Sequence, residues 1–260
     1  MKALKWRSCL AWPALAMVAL LVVPSLVLLV RLSFCQPAMG AGFYLPDSFT
    51  WAHFIRLLSP EGLSLVGFTL AFAVAVTAGV VPLAWVLAWP LRASGGFWLA
   101  LGVMVLVAPR LAGVLAPLVT MRLWLPRGTL SALVAELLLI TPYAALVLLV
   151  HLRGIDWRVM DAARGLGAGS WQSVARVGLP LSGPGLWLAG QLALGWGLGA
   201  FLGPDLLAGP GGRTLATDLH HQAFDNSRWP LAAAEGVLLL LLVGAVYLAR
   251  PAGWMRESRP

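Results

Sequence analysis

The chain has 260 residues, of which 60% are hydrophobic and only 11% are charged. Soluble globular domains carry about 25% charged residues, so this composition excludes a soluble protein and indicates that the bilayer is its solvent. The net charge of +8 does not indicate nucleic-acid binding, because the basic residues lie between apolar runs and form no cluster with aromatic residues. In a membrane protein, a basic excess is typical of cytoplasmic loops.

Six apolar segments are long enough to cross a membrane as helices, which takes roughly 20 residues each. The predicted spans are residues 10–30, 63–89, 97–121, 129–150, 184–208 and 231–249. The first is longer than the apolar core of a cleaved signal peptide, which favours an uncleaved anchor. We therefore predict an all-α integral membrane protein that forms a single domain over residues 1–260.

The distribution of Lys and Arg orients these spans. Six spans place both termini on one side, and that side receives eleven of the 18 basic residues. The other side receives six, and Arg110 lies within the third span. The richer side is expected to be cytoplasmic, so both termini and the segment 151–183 are predicted to face the cytoplasm.

Two outer segments, 32–62 and 209–230, are large enough to hold short helices. In the first, Asp47 or Ser48 could cap an amphipathic helix. The second begins with a Gly/Pro-rich turn, after which we predict a short helix or a re-entrant piece. Cys9 and Cys35 flank the first span and would lie about 39 Å apart in a helix, which predicts no disulfide between them.

The cytoplasmic segment 151–183 combines two short helical patterns with a glycine-rich interruption. Asp156 can cap the first helix, and the three glycines of 165–169 disfavour its continuation by about 1 kcal/mol each. The chain is therefore predicted to turn there. Ser170 can cap a second helix, which the prolines at 180 and 184 are expected to end before the next span.

Spacing within this segment resembles a cytoplasmic loop of the permease subunits of binding-protein-dependent ABC importers. The family pattern is Glu-Ala-Ala, three residues, Gly, nine residues, Ile, one residue, Leu-Pro. The matching residues are Asp161, Ala162, Ala163, Gly167, Val177, Leu179 and Pro180. Asp replaces Glu and Val replaces Ile. In that family the loop docks into a cleft of the ATP-binding subunit, so the resemblance implies that these residues couple ATP-driven closure to the spans.

The segment 201–234 resembles the end of the fifth span and the start of the sixth in spermidine/putrescine-type permeases, with Asp205 ahead of a Gly-rich turn and a later Trp-Pro pair. The stretch LVTMRLW is similar to a second pattern of that family, which places Arg122 and Trp124. The resemblance implies a type I ABC importer permease in the bacterial inner membrane. A polyamine such as spermidine or putrescine is the implied substrate.

The resemblance also implies partners. These are two copies of an ATP-binding subunit, a second permease that is usually a different chain, and an extracytoplasmic solute-binding protein, all working within membrane lipid. ATP and Mg²⁺ are expected on the ATP-binding subunits, because this chain has no GxxxxGK[ST] motif. No Ser, His and Asp constellation for catalysis is evident either, so we expect a transport subunit rather than an enzyme, with no cofactor of its own.

Ionisable groups within spans are costly and are candidates for function. Asp205 and Glu136 could attract a cationic amine. Alternatively, Asp205 could lie in water at the interface, while Glu136 pairs with Arg110 or Arg122. Gln191 and Trp196 could line the path or simply pack between helices. The candidate substrate path comprises Asp205, Glu136, Gln191, Arg122 and Trp124.

Several alternatives stay open. Asp218, His221 and Asp225 would share one helical face, but with no fourth ligand evident we predict no metal site. Gly195, Gly199 and Gly203 form a small-residue stripe suited to close helix packing. The solute could instead be ferric ion, thiamine or an oxyanion, the last favoured by Arg110. An ion-gradient-driven transporter would show inverted repeats or broken helices, and no clear repeat is present.

Overall fold

A computed structural model of the chain describes residues 2–38, 43–111, 113–209 and 211–249, with the backbone alone for residues 2–12, 14, 15 and 109–111. Its α-helices are α1 (Lys2–Ser33), α2 (Ala52–Leu57), α3 (Pro60–Leu91), α4 (Gly96–Leu111), α5 (Leu115–Trp124), α6 (Thr129–Arg153), α7 (Arg158–Gly165), α8 (Ser170–Ser173), α9 (Leu179–Leu181), α10 (Gly183–Leu198), α11 (Leu215–His220) and α12 (Trp229–Leu248). Three π-helical turns cover Val174–Gly178, Pro204–Ala208 and His221–Asp225. Apart from one isolated bridge between Gln36 and Leu45, the described residues pair no strands, which confirms the all-α prediction.

Within the described residues, four helices are long and apolar enough to cross a membrane by length and composition. They are the stretch Ala16–Ser33 of α1, together with α3, α6 and α12. A shorter apolar stretch, Gly96–Ala108, lies in α4. The first, second, fourth and sixth predicted spans therefore correspond to continuous helices, as expected for a multi-pass membrane protein.

The third and fifth predicted spans are each broken, so the prediction of one continuous helix in each was wrong. In the third, Gly113 has a φ of +85°, a left-handed conformation that glycine tolerates and a right-handed helix cannot continue through. In the fifth, α10 ends at Leu198 and the π-helical turn begins at Pro204, whose ring removes a backbone donor. Apolar length alone did not reveal either break.

The chain divides into two compact units, which are described separately. One comprises Met1–Ser64 and Asp218–Leu241, and the other comprises Leu65–Thr217 and Leu242–Pro260. The prediction of a single membrane domain over residues 1–260 stays a prediction.

The larger unit has a core built on small side chains. Helix α6 packs against α10 and against the π-helical turn Pro204–Ala208. The buried alanines of this core include Ala84, Ala88, Ala132, Ala135, Ala144, Ala145, Ala189 and Ala193. A Cβ on Gly197 would lie only 2.8 Å from the Cα of Ala73, so the helices approach to backbone contact. Such close approach is how helices associate where lipid competes for every apolar surface.

The smaller unit contains the outer segment that follows α1. Helix α2 begins at Ala52, whose N–H donates to the Thr50 hydroxyl at 3.1 Å. The predicted cap at Asp47 or Ser48 was therefore wrong, and the Ser48 hydroxyl instead accepts the Gln36 N–H at 2.7 Å. Cys35 is buried and unbridged. The backbone oxygen of Cys35 accepts a hydrogen bond from His53 Nε2 at 3.0 Å, which ties α2 to the end of α1.

Candidate functional site: the segment 151–183 and the buried polar groups

Helix α7 ends in a turn that two backbone hydrogen bonds close. The Gly167 N–H donates to the Arg164 carbonyl at 3.0 Å, and the Ala168 N–H donates to the Ala163 carbonyl at 3.1 Å. Gly167 has a φ of +92°. This is a Schellman motif, in which a left-handed residue just past the helix satisfies the last carbonyls. It gives a physical reason for a glycine at 167, four residues after Ala163.

The helix starts in this segment were partly predicted. The Asp156 side chain accepts the Arg158 N–H at 3.1 Å, but Trp157 is the residue that precedes α7, so the predicted cap at Asp156 was one residue too early. The predicted cap at Ser170 was wrong, because Gly169 precedes the first residue of α8. The Gly169 N–H donates instead to the Gln172 side-chain oxygen at 3.3 Å.

The helical path continues past α8, so the prediction that Pro180 and Pro184 end it was wrong. It passes through Val174–Gly178 and α9 before α10 begins. Each proline lies in the first turn of a helix. For Pro184, at the start of α10, the missing N–H costs no intrahelical hydrogen bond, whereas Pro180 follows the π-helical turn without a break.

The segment is held against the C-terminal end of α3 by a cluster that we call the tryptophan clamp: Trp89, Arg92, Trp157, Met160 and Gly178. The Trp89 and Trp157 rings meet edge to face, 5.2 Å between centroids. The Arg92 guanidinium carbon lies 3.4 Å from the Trp89 centroid and 5.0 Å from that of Trp157. A Cβ on Gly178 would lie 2.7 Å from Trp89. Trp89 is therefore contacted from both sides of the turn at Gly167, by Trp157 before it and by Gly178 after it.

Charged groups reinforce this attachment. Burial, and then the positive charge of Arg164, lower the pKa of Arg92. Arginine nevertheless remains a cation at physiological pH. The Arg153 guanidinium donates to the Ser94 carbonyl at 2.7 Å, which joins the end of α6 to the residues after α3. The segment is thus fixed to the ends of two long helices.

The outward face of the segment exposes large apolar side chains. Leu166 is 90% exposed, Trp171 77% and Val159 53%. The charged residues beside them form only surface pairs, such as Arg164 with Asp161 at 3.4 Å. Exposed apolar side chains in a short segment that is predicted to lie outside the membrane are typical of a protein interaction site.

The seven predicted coupling residues lie in the same segment and differ in exposure. Ala163 and Val177 are half-buried, and the others are exposed, namely Asp161, Ala162, Gly167, Leu179 and Pro180. The tryptophan clamp was missed by sequence reasoning. The signal available was Trp89 at the end of the second apolar run and Trp157 in the segment that follows the fourth.

The structure brings two of the candidate polar residues together inside the larger unit. Glu136 is buried in α6, with a relative exposure of 1%. Its Oε2 accepts the Trp196 indole N–H at 2.7 Å, and its Oε1 accepts the Gly203 N–H at 3.2 Å. A Cβ on Gly203 would lie 2.6 Å from that carboxylate, so this glycine makes room for it. The side chain of Arg110 lies outside the described residues.

The other candidate path residues occupy different surroundings. Gln191 donates to the Val246 and Ala249 carbonyls at 2.9 and 3.1 Å, at the end of α12, where carbonyls lack helical partners. Arg122 donates to the Leu206 carbonyl. Trp124 and Asp205 are exposed. Gln191 therefore has a structural role, and Arg122 fixes the turn that carries Asp205.

Residues of the glycine stripe and of the pattern Asp218, His221 and Asp225 have contacts within the chain. A Cβ on Gly195 would lie 2.8 Å from the Tyr247 hydroxyl, so part of the stripe serves internal packing. His221 contacts the Asp225 carboxylate, and Asp218 accepts from the Gln222 amide at 3.4 Å. No group of three potential metal ligands occurs among the described residues.

A family model described as "Binding-protein-dependent transport system inner membrane component" matches residues 80–250, more than half of the chain. Two curated proteins named "Spermidine/putrescine transport system permease protein PotB" are also similar. The Haemophilus influenzae protein is 30% identical over 124 residues, 46% of this chain and 43% of its own. The Escherichia coli protein is 27% identical over 132 residues, 50% and 46% respectively. The chain thus spans less than half the length of these relatives.

Two solved structures share the fold. One is a bacterial ABC transporter involved in the import of the acidic polysaccharide alginate, with a TM-score of 0.67, 15% identity and 95% of both chains covered. The other is a bacterial alginate ABC transporter in complex with an alginate pentasaccharide-bound periplasmic protein. It has a TM-score of 0.68 and 17% identity, with 94% of this chain and 93% of that chain covered. At this identity the likeness concerns the fold alone.

Proposed function

Because the chain belongs to the family of binding-protein-dependent transport system inner membrane components, we propose that it is the permease subunit of an ATP-driven importer and that residues 151–183 form its coupling loop. The proposed coupling residues are Asp161, Ala162, Ala163, Gly167, Val177, Leu179 and Pro180. Movement of the ATP-binding subunits would be transmitted through this loop to the membrane helices, and access to a central path would alternate.

The observation that carries the proposal is the turn at Gly167. It presents Leu166 and Trp171 on the outside, while the tryptophan clamp fixes the inner side to α3. The outer side of the loop is apolar, and its inner side is packed firmly against α3. This arrangement suits a loop that transmits the movement of a partner protein to the membrane helices. A flexible loop would absorb such a push, because few contacts would resist its local opening.

We further propose that the whole chain is one membrane domain with six passes and both termini in the cytoplasm. The third and fifth passes would be the broken helices α4–α5 and α10 with Pro204–Ala208. Broken helices are also typical of secondary transporters. The family match includes both breaks, and it favours the ATP-driven importer.

The proposed partners are two ATP-binding subunits, which would carry ATP and Mg²⁺, a second permease of different sequence and an extracytoplasmic solute-binding protein. The solved structure in complex with a periplasmic protein supports the last of these by analogy of fold.

The proposed solute is a polyamine such as spermidine or putrescine, which the names of the two curated relatives support. Asp205 is the preferred path residue, because it is exposed on the otherwise largely buried turn Pro204–Ala208. Glu136 is engaged with Trp196 and Gly203, so we assign it mainly to packing. Ferric ion, thiamine and an oxyanion remain alternative solutes.

Purification of the tagged chain from its native membrane tests the proposal. A P-loop ATPase and a second permease should accompany it, and proteoliposomes containing the complex should take up spermidine only with ATP and the binding protein. Purification of the chain alone, with uptake driven by an ion gradient, would contradict the proposal. Uptake of another solute from the same panel would overturn only the substrate assignment.

A further inference from the structure

A basic cavity lies in the smaller unit, beside the ends of two long helices. It is lined by Pro37, His53, Arg56, Arg228 and Leu231 and has a volume of about 320 Å³. Ligand pockets are commonly about 300–1,000 Å³. Its described lining includes two guanidinium groups and an imidazole, and none of these lining residues is acidic. This composition favours an anion.

The position of the cavity indicates the depth of headgroups at a membrane surface. Pro37 lies four residues beyond the end of α1, and Arg228 immediately precedes α12. Aromatic side chains are exposed in the same unit, with Phe49 66% and Trp51 57% exposed. These aromatic residues lie in the segment between α1 and α3, and Trp is enriched at membrane–water interfaces.

A second, apolar cavity lies in the same unit. Its volume is about 280 Å³, and its lining includes Leu28 and Leu32 of α1 and Trp229 and Ala232 of α12. Leu231 of α12 and Arg228, just before it, line the basic cavity. Trp229 and Ala232 line the apolar groove. The first turn of α12 therefore borders the basic cavity on one side and the apolar groove on the other.

We propose that these two cavities form a binding site for an anionic phospholipid. Arg56 and Arg228 bind the headgroup phosphate, and the groove between α1 and α12 takes an acyl chain. Guanidinium groups suit phosphate because their planar donors can bind two oxygens at once. His53 is held at the cavity by its bond to the Cys35 carbonyl. The site depends on the proposed membrane placement and not on the coupling role of residues 151–183.

Lipid retention by the purified full complex tests this site. The complex is titrated with phosphatidylglycerol in detergent, and bound lipid is counted by native mass spectrometry. Replacing Arg56→Gln and Arg228→Gln together should weaken binding of one phosphatidylglycerol about thirty-fold. The matched control is Arg31→Gln, which removes a charge at the end of α1 from a residue outside the cavity lining, and it should leave binding unchanged.

Further variants separate the possible sources of the anion. Arg56→Lys with Arg228→Lys keeps both charges and should keep most of the binding, which also reports correct folding. Ala232→Phe fills the groove and should weaken lipid binding. If inorganic phosphate displaces the lipid at equal concentration, or if the double Gln variant retains its lipid, the proposal is overturned. A double Gln variant that keeps its lipid but loses response to the binding protein would assign the arginines to an acidic protein surface.

Discussion

Substitution of Gly167 by alanine isolates the conformational role of the proposed coupling loop. Gly167 has a φ of +92°, and a Cβ there would meet no heavy atom within 4 Å. The substitution therefore removes no contact and introduces no clash. Its whole effect comes from holding an L-residue in a left-handed conformation, which costs about 1–2 kcal/mol.

Gly165 provides the matched control. It lies in the last turn of α7, and a Cβ there also meets open space. Alanine at 165 adopts the helical backbone without strain and stabilises the helix by up to about 1 kcal/mol relative to glycine. The two variants thus add the same methyl group two residues apart, with opposite expected effects on the turn.

The assay is ATP-dependent uptake at matched levels of protein in the membrane. A penalty of about 1–2 kcal/mol lowers the population of the closed turn by about 5- to 30-fold where the turn is marginal. Gly167→Ala should lose uptake by up to that factor, and Gly165→Ala should retain it. Gly167→Asn should recover part of it, since Asn tolerates φ above zero. Equal uptake by Gly167→Ala and the wild type would refute the reasoning.

Three further perturbations test other contacts. Trp89→Leu removes the edge-to-face pair with Trp157, a stacked pair with Trp85 and the cation–π contact with Arg92, together about 2–4 kcal/mol, so uptake should fall while ATP hydrolysis by the complex continues. The control is Trp98→Leu, at an exposed position of α4, and equal losses would count against the clamp. Glu136→Gln leaves an amide donor facing the Trp196 N–H and should lower the free energy of unfolding in detergent by about 1–3 kcal/mol. The double variant Glu136→Gln with Trp196→Phe should recover part of that loss. Unchanged stability together with lost uptake would return Glu136 to the substrate path. Asp205→Asn should raise the KM for spermidine about five-fold and leave a neutral or anionic solute unaffected, and an unchanged KM would remove Asp205 from the path.

Residue spacing predicted the turn at Gly167, because local backbone hydrogen bonds determine where such a turn forms. The four-residue interval from Ala163 to Gly167 is the interval that a Schellman motif requires. The prediction that the prolines at 180 and 184 end the helix was wrong, because a helix tolerates proline in its first turn. Where that first turn falls depends on where the α-helix begins again after a π-helical stretch. Sequence order shows the proline but not the restart.

Tertiary contacts explain the remaining differences. The tryptophan clamp joins residues some 70 to 90 positions apart in sequence, from the Trp89–Arg92 end of α3 to the loop, and no local pattern specifies such a pairing. Likewise, the hydrogen bonds of Glu136 to Trp196 and to the Gly203 backbone join residues 60 and 67 positions apart, which residue type alone does not indicate. The break at Gly113 was hidden because apolar composition continues on both sides of it.

Cross-linking from the outer tip of the loop tests the central claim most directly. A photoreactive residue is placed at 166, where Leu166 is 90% exposed, and a control at 124, where Trp124 is 86% exposed. The account predicts an ATP-binding subunit cross-linked from 166 and not from 124, with a yield that changes when ATP is added. No such product from 166, or equal yields from both positions, would contradict the assignment of residues 151–183 as the coupling loop.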